Sequence, residues 1–548
     1  MKFPKIKAEH IFLIIMLTIL IWTGFANLWS NQLTHEHPYS YLAGDAFQHW
    51  VRTDGIKQTG NYRYRVDFQT YGYDDVIGDY PPILFHLAII FSDLSNLPTF
   101  DAIYFLIFLS AILASFIMYL IVKDMNRHVA IISFPFMVLL FSGASYSAYT
   151  WGHWPSVMSQ LFLVGIVWSI KNIDLKKSYL LIAAFFTASI LTHTSEAIIG
   201  FFFVLFYLAV QLILKKDFKK KFKTLFIAGI ISFITSLYYL FIFKNTWAFW
   251  QKYQFNIIKE TGGSPTVQFW IYGIFSIIIL VGFLISVVLL AQKKSNTTIL
   301  STIFFLVIGY TNYIGFHSRA FQIRFWWPIY LAPAIGITIY YGLKIIIKKW
   351  NSSYSYGLAF VLLLLFLNVG GVATAIPQIP SYQEFSTPGT MDPYRWQAYQ
   401  WIHENTAQDA KMLFLYGDIY GQTNYLLSIK RVPYKIDFDD LFTSLQKNQS
   451  ERYFIINIYG DNVNSYPYWK SPFKFGYHLR DTDEFEHGLK KDICDFDYYI
   501  YDKVSRDERL PQFNLLLASN FKNKGLEEVF SNQIVSIIKN PTRGEPCV

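Results

Sequence analysis

From residue 1 to about 376 the chain alternates long apolar runs with short polar connections; beyond that it takes the mixed, charged pattern of a soluble domain. The runs fall near 11–29, 102–122, 129–150, 156–170, 178–194, 197–214, 224–243, 269–291, 297–316, 326–343 and 354–375. A helix needs about 20 apolar residues to cross a bilayer, so the pattern predicts eleven spans. The first run is longer than a signal-peptide core and lacks a small-residue cleavage site, which predicts a retained span. One further apolar stretch, from Tyr80-Pro81-Pro82-Ile83 to Leu97, is short, opened by two prolines and interrupted by Asp93. It is expected to lie in the membrane interface, inside a long first outer loop over 31–101.

Loop charge sets the orientation. Lys123 with Arg127, then Lys171, Lys176 and Lys177, then the run from Lys215 to Lys223, then Lys293-Lys294, and last Lys344, Lys348 and Lys349 fall in alternate connections. Positive residues gather on the cytoplasmic side. With the N-terminus inside, every cluster is internal, and an odd number of spans leaves 377–548 outside. The expected protein is a multi-pass cell-membrane protein with a cytoplasmic N-terminus and an extracytoplasmic C-terminus. Its fold class is a polytopic α-helical membrane module over 1–376, carrying a C-terminal extracytoplasmic α/β domain over 377–548. In that domain Phe454–Ile458, Tyr498–Tyr501 and Ile534–Ile538 read as strands and 394–405 as a helix.

Composition agrees: 53% of residues are hydrophobic and 16% charged, against about 25% charged in soluble chains. The net charge of +9 sits in the topology clusters rather than on a basic face with interleaved aromatics, so no nucleic-acid partner is expected. Cys494 and Cys547 leave a disulfide open, since two thiols do not establish one.

The outer connections differ in kind from the inner ones. Asp45, His49 and Arg52 are spaced to share one face of a helix. Later outer turns carry His153 between Trp151 and Trp154, then His193 and Glu196, then Lys259-Glu260, and finally Arg319 and Arg324. Each has a plain alternative: Asp45 as a helix cap, the tryptophans as interfacial anchors, His193 and Glu196 as span ends, the arginines as headgroup contacts. Against these stands their convergence on one face, with acids and cations together. The spans themselves hold few ionisable residues, unlike an ion-coupled transporter.

In these residues the chain resembles the GT-C class of membrane glycosyltransferases, and within it the catalytic subunit of archaeal oligosaccharyltransferase, over nearly its whole length. Gly44-Asp45 stands where that family has an essential aspartate, and Tyr80-Pro81-Pro82 where its interfacial helix opens. Trp151-Gly152-His153 replaces an Asp-x-His metal motif, keeping the histidine and lacking the acid. Glu260, Pro265, Thr266 and Trp270 look like the later outer-loop glutamate element, and Arg324 like the arginine that faces the donor phosphate. Trp401 to Thr406 is similar to the helix opening the soluble domain. Leu415-Tyr416-Gly417-Asp418-Ile419-Tyr420-Gly421 stands at the acceptor-reading motif without its paired tryptophans.

The resemblance implies a glycosyltransferase, of hexosyl- or oligosaccharyltransferase type, moving a sugar or glycan from a polyprenyl- or dolichyl-phosphate-linked donor to a glycan, lipid or protein acceptor. Asp45 is the first choice for base or orienting carboxylate, with Glu260 as a second catalytic acid. Arg324, with Arg319, would neutralise the leaving phosphate, and Asp418 would stand on the acceptor side. His49, Arg52, His193 and Glu196 would support the site. A divalent ion (Mn or Mg) could be held by Asp45 and His153, with weak or absent metal dependence expected because the second acid is missing. The rival readings are an oligosaccharyltransferase acting on protein asparagine, a lipid-linked glycan flippase or transporter, and an inactive scaffold.

Overall fold

The computed structural model describes residues 7–29, 32–41, 44–60, 81–141, 145–240, 275–309, 327–369, 391–408, 410–415, 425, 429, 431–436, 452–458, 489–504 and 509–547. A helix occupies each apolar run. They are α1 (Ala8–Trp29), α4 (Thr99–Met125), α5 (Arg127–Ser133), α7 (Trp154–Lys171), α8 (Ser178–Ile190), α9 (Thr194–Ile213), α10 (Phe218–Thr235), α11 (Phe275–Ala291), α12 (Thr297–Gly309), α13 (Trp327–Ile346) and α14 (Ser352–Val369). Among the described residues four are long and apolar enough to cross a membrane: Ala8–Trp29, Thr99–Met125, Thr194–Ile213 and Pro328–Ile346. Between α1 and α4 the first loop forms α2 (Gly44–Thr59) and α3 (Ile83–Ser95). The second is the apolar stretch behind the two prolines.

The run near 129–150 departs from a single α-helix. After α5 it tightens into a 3-10 helix, Phe134–Phe141, and a short α6 (Tyr146–Thr150) follows. Pro135 explains the change: it offers no N–H and its ring crowds the carbonyl four residues back.

α4 is the centre of the bundle, packed on α3, α5 and α7. α11 and α13 touch through Gly282, where a Cβ would stand 2.1 Å from the Ala334 oxygen; small residues of this kind let membrane helices approach closely. At one end of α1 a charge cluster centred on the buried Glu9 joins three segments. Glu9 holds Lys123 at 2.6 Å and Arg127 at 2.9 Å, and accepts from the Tyr119 hydroxyl at 2.9 Å. Two residues read as bare topology signals are thus ion-paired.

The C-terminal region opens with α15 (Pro393–Asn405), whose Asp392 cap accepts from the Tyr394 and Arg395 amides, both at 2.9 Å. Among the described residues the sheet has seven strands: β1 (Lys411–Phe414), β2 (Val432–Ile436), β3 (Tyr453–Ile458), β4 (Leu489–Asp492), β5 (Tyr498–Asp502), β6 (Glu527–Ser531) and β7 (Val535–Lys539). Their order is β4-β3-β2-β1-β5-β7-β6, with β1 parallel to β2 and β5 and the other pairs antiparallel. An amphipathic α16 (Arg509–Asn523) lies between β5 and β6. Cys494 and Cys547, 53 residues apart, form a disulfide; closing a loop of that length stabilises the fold by about 4 kcal/mol in the chain-entropy account.

α15 docks against the first loop. Trp50 of α2 stacks on Tyr425 at 5.2 Å between centroids, Tyr425 meets Trp396 at 5.0 Å, and Phe100 meets Trp50 edge-on at 5.6 Å. Beneath the rings Trp50 Nε1 donates to Thr99 Oγ1, which donates to Asp54. The C-terminal region therefore rests on the helix that carries Asp45.

Candidate active site

α2 begins at Gly44, and its first turn holds the exposed Asp45, a placement that favours a negative charge. One and two turns on, His49 and Arg52 sink to 5% and 9% exposure. The expected shared face is thus graded, from an acid in solvent to a cation packed on an aromatic ring. The Arg52 guanidinium lies 5.0 Å over the Phe85 ring of α3, and His49 sits between Phe85 at 5.9 Å and Trp154 at 6.0 Å.

The turn at 151–153 is pressed onto the start of this helix. Gly152 has φ +84, and a Cβ there would stand 2.1 Å from the Ala46 nitrogen and 2.5 Å from the Asp45 carbonyl carbon. Only a residue without a side chain allows both the left-handed backbone and the contact. The Gly152 backbone also hydrogen-bonds His49. Burial pushes the His49 imidazole down to about 3, reinforced by Arg52, His153 and His193, so it is neutral at pH 7.

Gly152→Ala is expected to unseat the turn. The backbone conformation alone costs an L-residue about 1–2 kcal/mol, and the overlap with Ala46 adds to it. Thermal unfolding in detergent should show a clear loss of stability. An unchanged melting temperature would contradict this packing.

The third element of the site is the α8–α9 turn. Its Leu191 carbonyl accepts from the Ile83 amide at 2.9 Å, tying it to the opening of α3. His193 precedes α9, and Glu196 in the first turn of α9 is 2% exposed. Ser156 Oγ donates to Glu196 Oε1 at 2.5 Å, and His193 Nδ1 meets Glu196 Oε2 at 2.5 Å. Ser159 ties α7 to the same turn by donating to the His193 carbonyl at 3.3 Å.

Six of the candidates are therefore linked: Asp45, His49 and Arg52 on α2, His153 in the turn on top of it, His193 just before α9 and Glu196 in its first turn. Glu260, Arg319, Arg324 and Asp418, with Tyr80, Pro265, Thr266 and Trp270, lie outside the described residues. Among the described residues no group of three or more His, Cys, Asp or Glu is placed to hold a metal ion. The Asp45–His153 pair by itself offers an ion two side chains, short of a full coordination sphere.

Sequence reading missed Ser156, Phe85 and a second buried pair. Asp101, in the first turn of α4, accepts from the His35 amide and meets His35 Nδ1, both at 2.9 Å. His37 beside it is pushed down to about 4 by burial and by His35, with Asp392 opposing. The only signal for this pair was an acid just inside a helix start.

No protein-family model matches the chain, and no curated protein matches it in sequence. Solved structures do. The ArnT structure from Cupriavidus metallidurans bound to undecaprenyl phosphate matches with a TM-score of 0.54 at 10% identity, over 98% of each chain. The apo oligosaccharyltransferase of Archaeoglobus fulgidus matches with a TM-score of 0.55 at 13% identity, over 78% of this chain; this chain spans only 64% of that one. The archaeal oligosaccharyltransferase AglB from Archaeoglobus fulgidus, in complex with an inhibitory peptide and a dolichol-phosphate, gives 0.56 at 11% identity over 98% and 74% of the two chains. At these identities the likeness is one of fold. The chain shares the fold of these ArnT and oligosaccharyltransferase structures.

Proposed function

We propose that this protein is a glycosyltransferase that moves a sugar or glycan from a polyprenyl-phosphate-linked donor to an acceptor on the extracytoplasmic face. The observation that carries the reading is the grouping of Asp45, His49, Arg52, His153, His193 and Glu196 around α2 and the turns beside it, in a chain whose fold is that of proteins solved in complex with undecaprenyl phosphate or dolichol-phosphate. Eleven spans with an inner N-terminus and an outer C-terminus complete the picture. The Cys494–Cys547 disulfide supports it, because such bonds persist in oxidising compartments.

A polyprenyl-phosphate sugar has an apolar tail for the lipid and a polar head for the interface. In this reading the spans take the tail, and Arg324 with Arg319 neutralises the phosphate. The Asp45 carboxylate orients and polarises the acceptor hydroxyl from the helix start, with Glu260 as a second acid and Asp418 on the acceptor side. Arg52 is held against Phe85 and adds positive potential behind the site. The segment Leu415–Gly421 lacks the paired tryptophans of the acceptor-reading motif, which supports a glycan or lipid acceptor over protein asparagine. A manganese or magnesium ion at Asp45 and His153 would assist by screening charge on the phosphate.

Two measurements bear on this. Cysteines placed at Gln446 and Lys219 should differ in intact cells: an impermeant thiol reagent labels the first and spares the second. Purified protein should bind undecaprenyl phosphate or dolichyl phosphate, with affinity reduced in Arg324→Ala. Labelling at position 219 would overturn the orientation, and binding indifferent to the phosphate group would overturn the donor class.

A further inference from the structure

We infer that His193 is the group that takes the proton from the acceptor hydroxyl, held in its proton-accepting form by Glu196. This rests on the transfer reaction proposed above and assigns a step in it. Glu196 is 2% exposed, so its side chain is spoken for by protein partners. One oxygen accepts from Ser156 Oγ and the other faces His193 Nδ1, each at 2.5 Å. A carboxylate can only accept hydrogen bonds, so Nδ1 is the donor in this pair and Nε2 is the nitrogen left to take up a proton.

The ring is also placed for use. His193 is 33% exposed while its carboxylate partner is buried, so one edge is anchored and the other is reachable. Its backbone is fixed by Ser159, and the turn by Ile83. His193 is within electrostatic reach of His49, on which Arg52 and His153 also act, and the Tyr330 hydroxyl of α13 is within reach of Glu196. His49 serves poorly as the base: it is buried, bonded to Gly152 and pushed down to about 3. His193 combines a carboxylate anchor with access.

In the step, the acceptor O–H bond breaks and its proton passes to His193 Nε2. The acceptor oxygen bonds to C1 of the sugar, and the C1–O bond to the phosphate breaks with its electron pair leaving on the polyprenyl phosphate. The imidazolium formed is balanced by Glu196 and then releases its proton to water.

The test uses the purified full chain. His193→Ala should lower kcat by at least about a hundredfold, the scale of lost acid–base assistance, with the donor KM changed by less than about threefold. Added imidazole should restore at least about a tenth of the lost rate, and should not restore Asp45→Asn. His193→Asn serves if the alanine variant does not fold. Nitrogen-15 shifts of His193 in labelled protein at neutral pH should place the proton on Nδ1. Near-normal kcat, a loss carried by the donor KM alone, a loss that imidazole leaves untouched, or a neutral ring with its proton on Nε2 would each overturn the assignment. A wild type that turns over no polyprenyl-phosphate sugar defeats the reaction instead, and the tautomer measurement then decides the couple independently.

Discussion

Asp45→Asn is expected to lower glycosyl transfer by at least about a hundredfold while leaving expression and folding intact. The substitution separates two roles that the position could have. Asp45 sits exposed in the first turn of α2, where a carboxylate favours the helix start through its charge. Asn keeps the size and hydrogen-bonding oxygen, and at helix starts it is nearly as good as Asp. A structural Asp45 would therefore tolerate Asn with a few tenths of a kcal/mol lost. An orienting carboxylate would not, because Asn has neither the charge nor the basicity that polarises an acceptor hydroxyl. The readout is turnover of purified variant and wild type at saturating donor. Near-normal turnover would mean that the first loop is structural and that the fold is present without its activity.

The second large effect concerns stability. Arg395 is buried between two carboxylates: it pairs with Asp392, the cap of its own helix, and with Asp502 of β5 at 2.8 Å. Arg395→Ala leaves both acids buried without their cation, a change that typically costs 3–5 kcal/mol. For a domain of this size that is a fall of about 10 °C in the unfolding transition of the C-terminal region. Since α15 also carries Trp396 against Trp50 and Phe100, the loss should extend to the docking of that region on α2. Limited proteolysis of wild type and variant in detergent checks both. Equal protease resistance would show that the ion triad contributes little.

The helices of the apolar half were legible because their physics is one-dimensional. A run of about 20 apolar residues has few alternatives to a helix in lipid, and every predicted run holds one. The run that misled, 129–150, did so at Pro135, where a local break turned one helix into an α and a 3-10 piece. In the C-terminal region the strands read from sequence were β3, β5 and β7, which are rich in Ile, Val and Tyr. The two edge strands were missed. β4 reads Leu-Lys-Lys-Asp and β6 Glu-Glu-Val-Phe-Ser, and edges carry charge to discourage further pairing, which erases the apolar pattern. Inside the sheet, β1 is only four residues long, and β2 is interrupted by Pro433.

The contacts of the candidate site were legible where they lie within one short turn. His193 and Glu196 are three residues apart at one helix start, so their meeting needs no long-range knowledge. Their tie to Ser156 joins residues 40 positions apart, and that of Glu9 to Tyr119 spans 110; no periodicity records such pairs. Gly152 is the instructive case. In sequence it is one glycine among 30, and only the structure shows that the backbone of Asp45 and Ala46 occupies the space of its absent side chain.

The central claim is group transfer from a lipid-phosphate donor, and the direct measurement is the fate of a polyprenyl-phosphate sugar carrying a labelled sugar. Purified protein in liposomes, supplied with membrane extract as the acceptor source, should release unlabelled polyprenyl phosphate and move the label to a new product. Asp45→Asn should abolish the transfer. Recovery of the donor intact, whether unmoved or carried to the opposite leaflet, would contradict the account: the first outcome fits a scaffold and the second a flippase.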